Sequence, residues 1–560
     1  MPRVGYTSLS EQNDGAADPT RRKDNSVNSA NETHPSVDVV DTSTRTRQAC
    51  IAVLALMWLI GLGVVVVGAV AQRMTDKSSD GMEPSTYHHK SLVPFLQLAV
   101  SFVVTGLSDV AGLVHSTSLR FTLLSSGRLA FNSNLRLFTS CKSSRIHWWP
   151  INVIWAWSLI SSYACGSMIV LETVYSFSDT NPDGTIGPSH SYDIVSGYAL
   201  IFLGLGLLGQ ASIATWALAV NRFPTWSTNP IQIGAVCQSQ GWLSRVPGRS
   251  MASVHEVKQT DHHEHAPALP KTRQRCMLEA HFRFRRVLMI AWTVTLVAFL
   301  WFAAISVAYQ LKGDRGPAWG SFSRSYTNDW SLIPDWVDTT AFLAIPTSLG
   351  HSYFSFGPWF LCKYLLTCAF LGGITLNLHI VELVVQASRD ESLWRQTATA
   401  TGLALAKHGA FYTAVTSWQT VGLFVFKGLL HWMFGLMFGL MWEGIEVRIP
   451  QACYTAILLF ALAAMATAIA IYRPKGPQPA TFGHLQTLVD VIDVWPCRQS
   501  DPVVTDAGSV DGQDKMASSQ VTEQGCTLYW GDKGDDGDGV RHAGTDLIAL
   551  KPIVMTATYR

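Results

Sequence analysis

About eight apolar runs, each close to 20 residues long, cross this chain, and the loops between them alternate in charge. A helix of about 20 residues matches the hydrocarbon thickness of a bilayer. A soluble core asks for apolar residues at helical or strand periodicity, not in continuous blocks. The expected fold class is therefore all-α: a polytopic transmembrane helical bundle of about eight spans. They are read near residues 51–71, 93–115, 150–172, 197–219, 287–309, 356–384, 417–439 and 451–472. Composition agrees, since 14% of residues are charged, against about 25% in ordinary soluble domains. Many of the 20 Trp stand near the ends of the runs, where amphipathic rings suit the headgroup layer. The formal net charge of +1 argues against a nucleic-acid partner.

Loop charge gives an orientation. The loop after the second span carries Arg120, Arg128, Arg136, Lys142 and Arg145 and no acid. The loop after the third carries Asp179, Asp183 and Asp193 and no Lys or Arg. The next is basic beside its span, with Arg283, Arg285 and Arg286, and the one after it holds more acids than bases. Basic loops stay in the cytoplasm, so both termini are expected there. The first run follows a long polar stretch and reads as an uncleaved anchor, not a signal peptide. None of the ten Cys falls in an expected outer loop, so no disulfide framework is implied.

Three regions follow. Residues 1–48 are polar and read as a disordered cytoplasmic N-tail. Residues 49–473 form the membrane domain, with cytoplasmic loops 116–149 and 221–286. Residues 474–560 form a cytoplasmic C-terminal tail. In the second loop, Pro224 to Ile231 is expected to fold against the membrane and the later part to be polar and mobile. In the tail, Leu485, Leu488, Val489 and Ile492 recur at helical spacing, which predicts a short amphipathic helix ending near Trp495. Residues 500–522 read as a linker, and Leu528 to Trp530 and Leu547 to Met555 as docking segments. The apolar 336–349 segment contains Pro346 and is too short to span, so it reads as interfacial or re-entrant.

Several strings resemble members of a fungal family of multi-pass integral membrane proteins without an assigned activity. They are His115 to Arg120, Phe131 to Arg136, Pro247 to Arg249, Lys427 to Gly435, Pro474 to Leu488, Leu528 to Lys533 and Arg541 to Thr545. The resemblance covers the membrane region and the C-terminal tail but not residues 1–48. It implies the architecture and a fungal origin, and carries no catalytic residue across.

Ionisable residues inside spans are the best functional lead, because each costs roughly 2.5–3.5 kcal/mol at a helix centre and so faces protein or water. They are Asp109, Lys363, His379, Glu382, Lys427 and His431. At about 1.5 Å per residue, Lys427 lies roughly 15 Å and Asp109 roughly 9 Å from the expected cytoplasmic ends of their spans. His431 is one turn beyond Lys427 on the same face. Glu382 and His379 share the cytoplasmic half, within reach of an extended Lys427. Lys363 lies near the outer end and is expected to snorkel out.

Other motifs carry less. Gly204, Gly206 and Gly209 in the fourth span, and Gly435 and Gly439 as a GxxxG in the seventh, suit close helix packing or a dimer seam. His262-His263-Glu264-His265 lacks the i, i+4 His pair of a metal-binding helix. The run Asp532 to Gly539 lacks calcium-loop spacing and reads as a solvated turn. Arg interleaved with apolar residues across 116–147 suits topology first and contact with the anionic leaflet second. No catalytic motif is found, so no enzyme activity, cofactor or metal is expected.

Two functions remain open. The first is transport or permeation of a small solute or protons through a polar cluster between spans two, six and seven. The second is a non-catalytic membrane scaffold or regulator acting through its cytoplasmic loops and tail, with a cytoplasmic protein or a second copy as partner. A hydrated cavity reached by Asp109 and Lys427 favours the first; a closed bundle with tightly paired charges favours the second. The lipid bilayer is the common partner, whether plasma membrane or endomembrane.

Overall fold

The computed structural model describes residues 44–78, 92–175, 190–221, 223–257, 267–311, 330–333, 342–346, 356–404, 410–440, 444–495, 527–535 and 539–560. In chain order the elements are α1 (Thr44–Ser78), α2 (Val93–Ser125), α3 (Trp149–Ser167), β1 (Val170–Tyr175), β2 (His190–Val195), α4 (Gly197–Val220), α5 (Pro230–Ser239), α6 (Val254–Val257), α7 (Met277–Ala280) and α8 (Phe282–Leu311). Then come β3 (Phe342–Pro346), α9 (Phe356–Gln396), β4 (Leu403–Ala404), α10 (Ala410–Thr416), α11 (Trp418–Met437), β5 (Phe438–Leu440), β6 (Gly444–Arg448), α12 (Ile449–Ile471), α13 (Leu485–Val491), β7 (Thr527–Asp535) and β8 (Arg541–Asp546).

The eight expected runs fall on α1, α2, α3, α4, α8, α9, α11 and α12. Among the described residues, seven of these are long and apolar enough to cross a membrane. The exception is α3, whose 19 residues include Asn152, Ser158, Ser161 and Ser162. It packs among α2, α4, α9 and α11. Those four polar residues are buried against its neighbours, so α3 meets lipid with its apolar face alone and needs a less uniformly apolar sequence than α1 or α8. Those two present Leu59, Val66, Leu296 and Leu300 largely exposed. Apolar surface of that extent calls for lipid around it.

Close approach comes from glycine, at the expected Gly204, Gly206 and Gly209 of α4. A Cβ on Gly204 would stand 2.6 Å from the Gly61 carbonyl, and one on Gly68 would stand 2.7 Å from the Gly197 carbonyl. These pairs let α1 and α4 touch backbone to backbone. On the opposite face of α4, Gly206 and Gly209 approach Ser158 and Ser162 of α3. Gly435 faces Ser167, but Gly439 lies on strand β5 beyond the end of α11. The expected helical GxxxG of Gly435 and Gly439 is therefore corrected: the helix ends before its second glycine.

The all-α expectation is also too narrow, because among the described residues three small antiparallel sheets accompany the helices. The β1–β2 hairpin joins α3 to α4, and the order β3-β6-β5 forms a second sheet. The segment read as interfacial or re-entrant thus supplies β3, whose backbone groups pair with β6. A strand satisfies them without needing the length of a span.

At the other end of the bundle stands a folded head. Its core joins Ile231 of α5, Leu393 and Trp394 of α9, Leu488 and Val491 of α13, Leu528 and Trp530 of β7, and Tyr559. Described parts of the 116–149 and 221–286 loops and of the C-terminal tail therefore share one end of the bundle. The scaffold for this is α9: its 41 residues make a rod about 60 Å long, twice the roughly 30 Å of a hydrocarbon core. Its projecting end carries Asp390 and Glu391. Asn132 donates to Asp390 Oδ2 at 2.8 Å. Glu391 accepts from the N–H groups of Thr481 and Phe482.

Two tail expectations and one loop expectation change accordingly. The predicted helix is present as α13, but it ends at Val491 rather than near Trp495 and is buried nearly all round rather than amphipathic. Asp532 is no solvated turn: it lies on β7, buried, and accepts from Arg541 and Tyr559. The later part of the 221–286 loop is polar as expected, yet residues 267–280 pack onto the head, with Arg273 bridging Lys475. The His262 to His265 cluster, residues 500–522 and most of the N-tail lie outside the described residues.

Candidate functional site

Four of the sequence-selected residues converge. Lys427 on α11 extends to Asp109 on α2, with Nζ 2.5 Å from Oδ1. The same Nζ stands 3.8 Å from Oε2 of Glu382 on α9. Lys427 is buried, at 3% exposure, whereas the carboxylate side chains of Asp109 and Glu382 keep 32% and 28%. A buried ammonium with two acceptors is matched in charge, which meets the demand that burial sets. Glu382 also accepts from Gln386 at 2.9 Å.

His379 extends the cluster. Its Nδ1 lies 3.3 Å from Glu382 Oε2 and 3.2 Å from Nη2 of Arg136. A single ring nitrogen cannot serve both partners in one protonation state. With a proton it donates to the carboxylate; without one it accepts from the guanidinium.

Arg136 is the member that sequence reasoning placed elsewhere, as a topology determinant in a basic loop. Its 3-10 turn, Arg136–Phe138, turns the guanidinium inward against Gly112 of α2 and over the Trp155 ring, 5.8 Å from the ring centre. A side chain on Gly112 would occupy the guanidinium's place. The one signal available was a small residue one turn after Asp109 on the same helical face.

His431 does not join the relay geometry. Its Nδ1 donates to the Lys427 carbonyl at 2.6 Å, which leaves Nε2 to accept from Thr375 at 3.0 Å. Tyr163 stacks on its face with ring centres 3.5 Å apart. These contacts fix the tautomer and clamp the ring. Lys363, expected to snorkel outward, is instead buried, on the face of α9 that also buries Tyr364, Thr367 and Cys368.

A narrow cleft leads from the head side to this cluster. Ser116, Arg120, Asn132, Asn134, Arg136, His379, Glu382 and Gln386 supply its polar lining. Its free volume of about 20 Å³ admits about one water molecule. It ends on Glu382 and His379 and stops short of Lys427 and Asp109. Among the described residues, no three His, Cys, Asp or Glu side chains converge as a metal site.

Fold and site together define a membrane-embedded helical protein with a folded extramembrane head and an internal ion-paired cluster. Comparison with protein-family models, curated proteins and solved structures gives no match.

Proposed function

We propose that this multi-pass protein moves protons, or a solute no larger than water, through the polar cluster between α2, α9 and α11. The observation that carries this reading is His379 Nδ1, set between Arg136 and Glu382 at the inner end of the cleft. Gaining or losing one proton changes its partner, which is what a relay group requires. Glu382 then connects through Lys427 to Asp109, deeper in the bundle. The size of the cleft argues against a larger solute in this conformation. Eight spans, with the head and both termini in the cytoplasm, and membership of the fungal family resembled above, belong to the same proposal.

The test is proton flux into liposomes carrying the purified protein under an imposed potential, read with an enclosed pH dye. Flux above empty liposomes is expected, with a strong loss in His379→Gln and Lys427→Met. No flux, or full flux in variants that fold, overturns the reading.

A second reading, a scaffold or regulator, is favoured by the tight Lys427–Asp109 pairing and by the head that several chain segments build. On that reading the charges fix helix register. Lys427→Met then leaves cellular function intact once the protein folds, while disruption of the head abolishes it.

A further inference from the structure

The turn after α2 carries a polar feature unrelated to the internal cluster. Gly127 adopts a left-handed conformation, φ 64°. Its N–H donates to the Leu124 carbonyl, and the Arg128 N–H donates to that of Leu123. The helix end is thus capped and the chain reverses sharply. The segment around Cys141 folds back beside this turn. The Cys141 N–H donates to the His147 carbonyl, and Arg128 donates to the Ser140 carbonyl at 3.2 Å.

Between these strands of chain lies an open bowl of about 390 Å³, lined by Ser126, Arg128, Ser140, Cys141, Lys142 and Ser143. The floor is fixed, because Cys141 is buried in a core shared with Val236 and Cys237 of α5. The lining offers two cations, three hydroxyls and no carboxylate. Residues 126–149 contain Arg128, Arg136, Lys142 and Arg145 and no acid. Arg136 turns into the bundle, while the other three are exposed. Trp148 and Trp149 follow at the start of α3, 50% and 60% exposed. Exposed indoles beside a helix entering the bundle mark the headgroup layer. The Cys141 N–H bond to the His147 carbonyl sets one wall of the bowl beside these indoles.

We propose that this bowl binds the phosphate monoester of a phospholipid headgroup. A monoester carries close to two negative charges near neutral pH and three free acceptor oxygens. The Lys and Arg supply opposite charge and the Ser140 hydroxyl supplies a donor, while Ser126 donates to the Leu123 carbonyl and Ser143 pairs with the Cys141 thiol. A phosphodiester or a zwitterionic headgroup uses this lining less fully. The proposal stands apart from the permeation reading, since no residue of the internal cluster lines the bowl.

The test uses full-length protein in nanodiscs of phosphatidylcholine with phosphatidylinositol, phosphatidylinositol 4-phosphate or phosphatidylserine as the guest lipid, with retained lipid measured by native mass spectrometry. Selective retention of phosphatidylinositol 4-phosphate is expected. At about 1 kcal/mol per basic residue near the surface, R128Q/K142Q is expected to lower retention at least tenfold. S140A/S143A, which leaves the charge unchanged, is expected to lower it several-fold, and decides the matter alone if the charge variant fails to fold. Equal retention of all three guests overturns the proposal, as does wild-type retention by the serine variant. Inorganic phosphate that binds as tightly as the lipid overturns the lipid source.

Discussion

Lys427 and Asp109 are 318 positions apart in the chain and 2.5 Å apart in the fold. Their contact pins α11 to α2 and, through Glu382, to α9. Lys427→Met leaves two carboxylates facing each other without a cation. Removing one partner of a buried pair costs about 3–5 kcal/mol, and the partial exposure of both carboxylates places the expected loss near the low end. Adding Asp109→Asn is expected to restore part of it. Thermal unfolding of the single and double variants measures the coupling; strictly additive losses would show that the pair does not act as a unit.

Gly204→Val is expected to prevent α1 from docking on α4, because its Cβ would stand 2.6 Å from the Gly61 carbonyl, a backbone atom that cannot swing aside. Gly63→Val, on the partner helix α1 with open space around its Cβ, is the matched control and is expected to behave as wild type. The yield of monodisperse protein in mild detergent compares them.

Glu391→Ala is expected to loosen the head from α9. The carboxylate accepts from the Thr481 and Phe482 N–H groups and from Arg395. It thereby holds Phe482 at φ 46° and Gly483 at φ 75°. Two buried N–H groups lose their acceptor, at about 1–3 kcal/mol each. Hydrogen exchange should rise across residues 475–492 and remain unchanged in α12.

Head stability is expected to peak in mildly acidic solution. Burial alone would raise the Asp493 carboxyl. The hydrogen bonds from His542, the Thr545 N–H and Lys533 outweigh burial and hold it well below the usual carboxylate range. Its stabilisation is present above the unfolded value of about 3.9 and is lost as pH falls through the folded value. The hydrogen bond to Asp493 raises His542 above its ordinary value, against desolvation. That stabilisation is full below the unfolded value of about 6.5 and is lost as pH rises through the folded value. Asp493→Asn should flatten both limbs of a stability–pH profile followed by tryptophan fluorescence. A variant profile identical to wild type excludes the pair as its source.

Much of the site was legible in the sequence. Asp109, His379, Glu382 and Lys427 were each conspicuous as ionisable residues in apolar surroundings, and helical rise placed them at similar depth. Arg136 was not legible, because a basic residue in a basic loop looks the same whether it faces lipid phosphates or turns into the bundle. The locked ring of His431 was equally hidden: its spacing from Lys427 is that of a relay partner, but Thr375 and Tyr163 arrive from other helices. The strands were missed because β3, β5 and β6 are no more than five residues long, and pairing between distant segments has no local signature.

Hydropathy is a local property, the cost of burying each stretch of chain in lipid, so the sequence by itself determined the class of protein and the positions of its long helices. Which charges meet, which glycines touch and which loops build the head depend on contacts between segments hundreds of residues apart. Tertiary structure decided these, because each partner is selected by the shape and polarity of helices that converge only in the folded bundle. The projecting end of α9 shows the division: its apolar half was readable as a span, while its polar half became the head's support only through Asn132, Thr481 and Phe482 arriving from elsewhere.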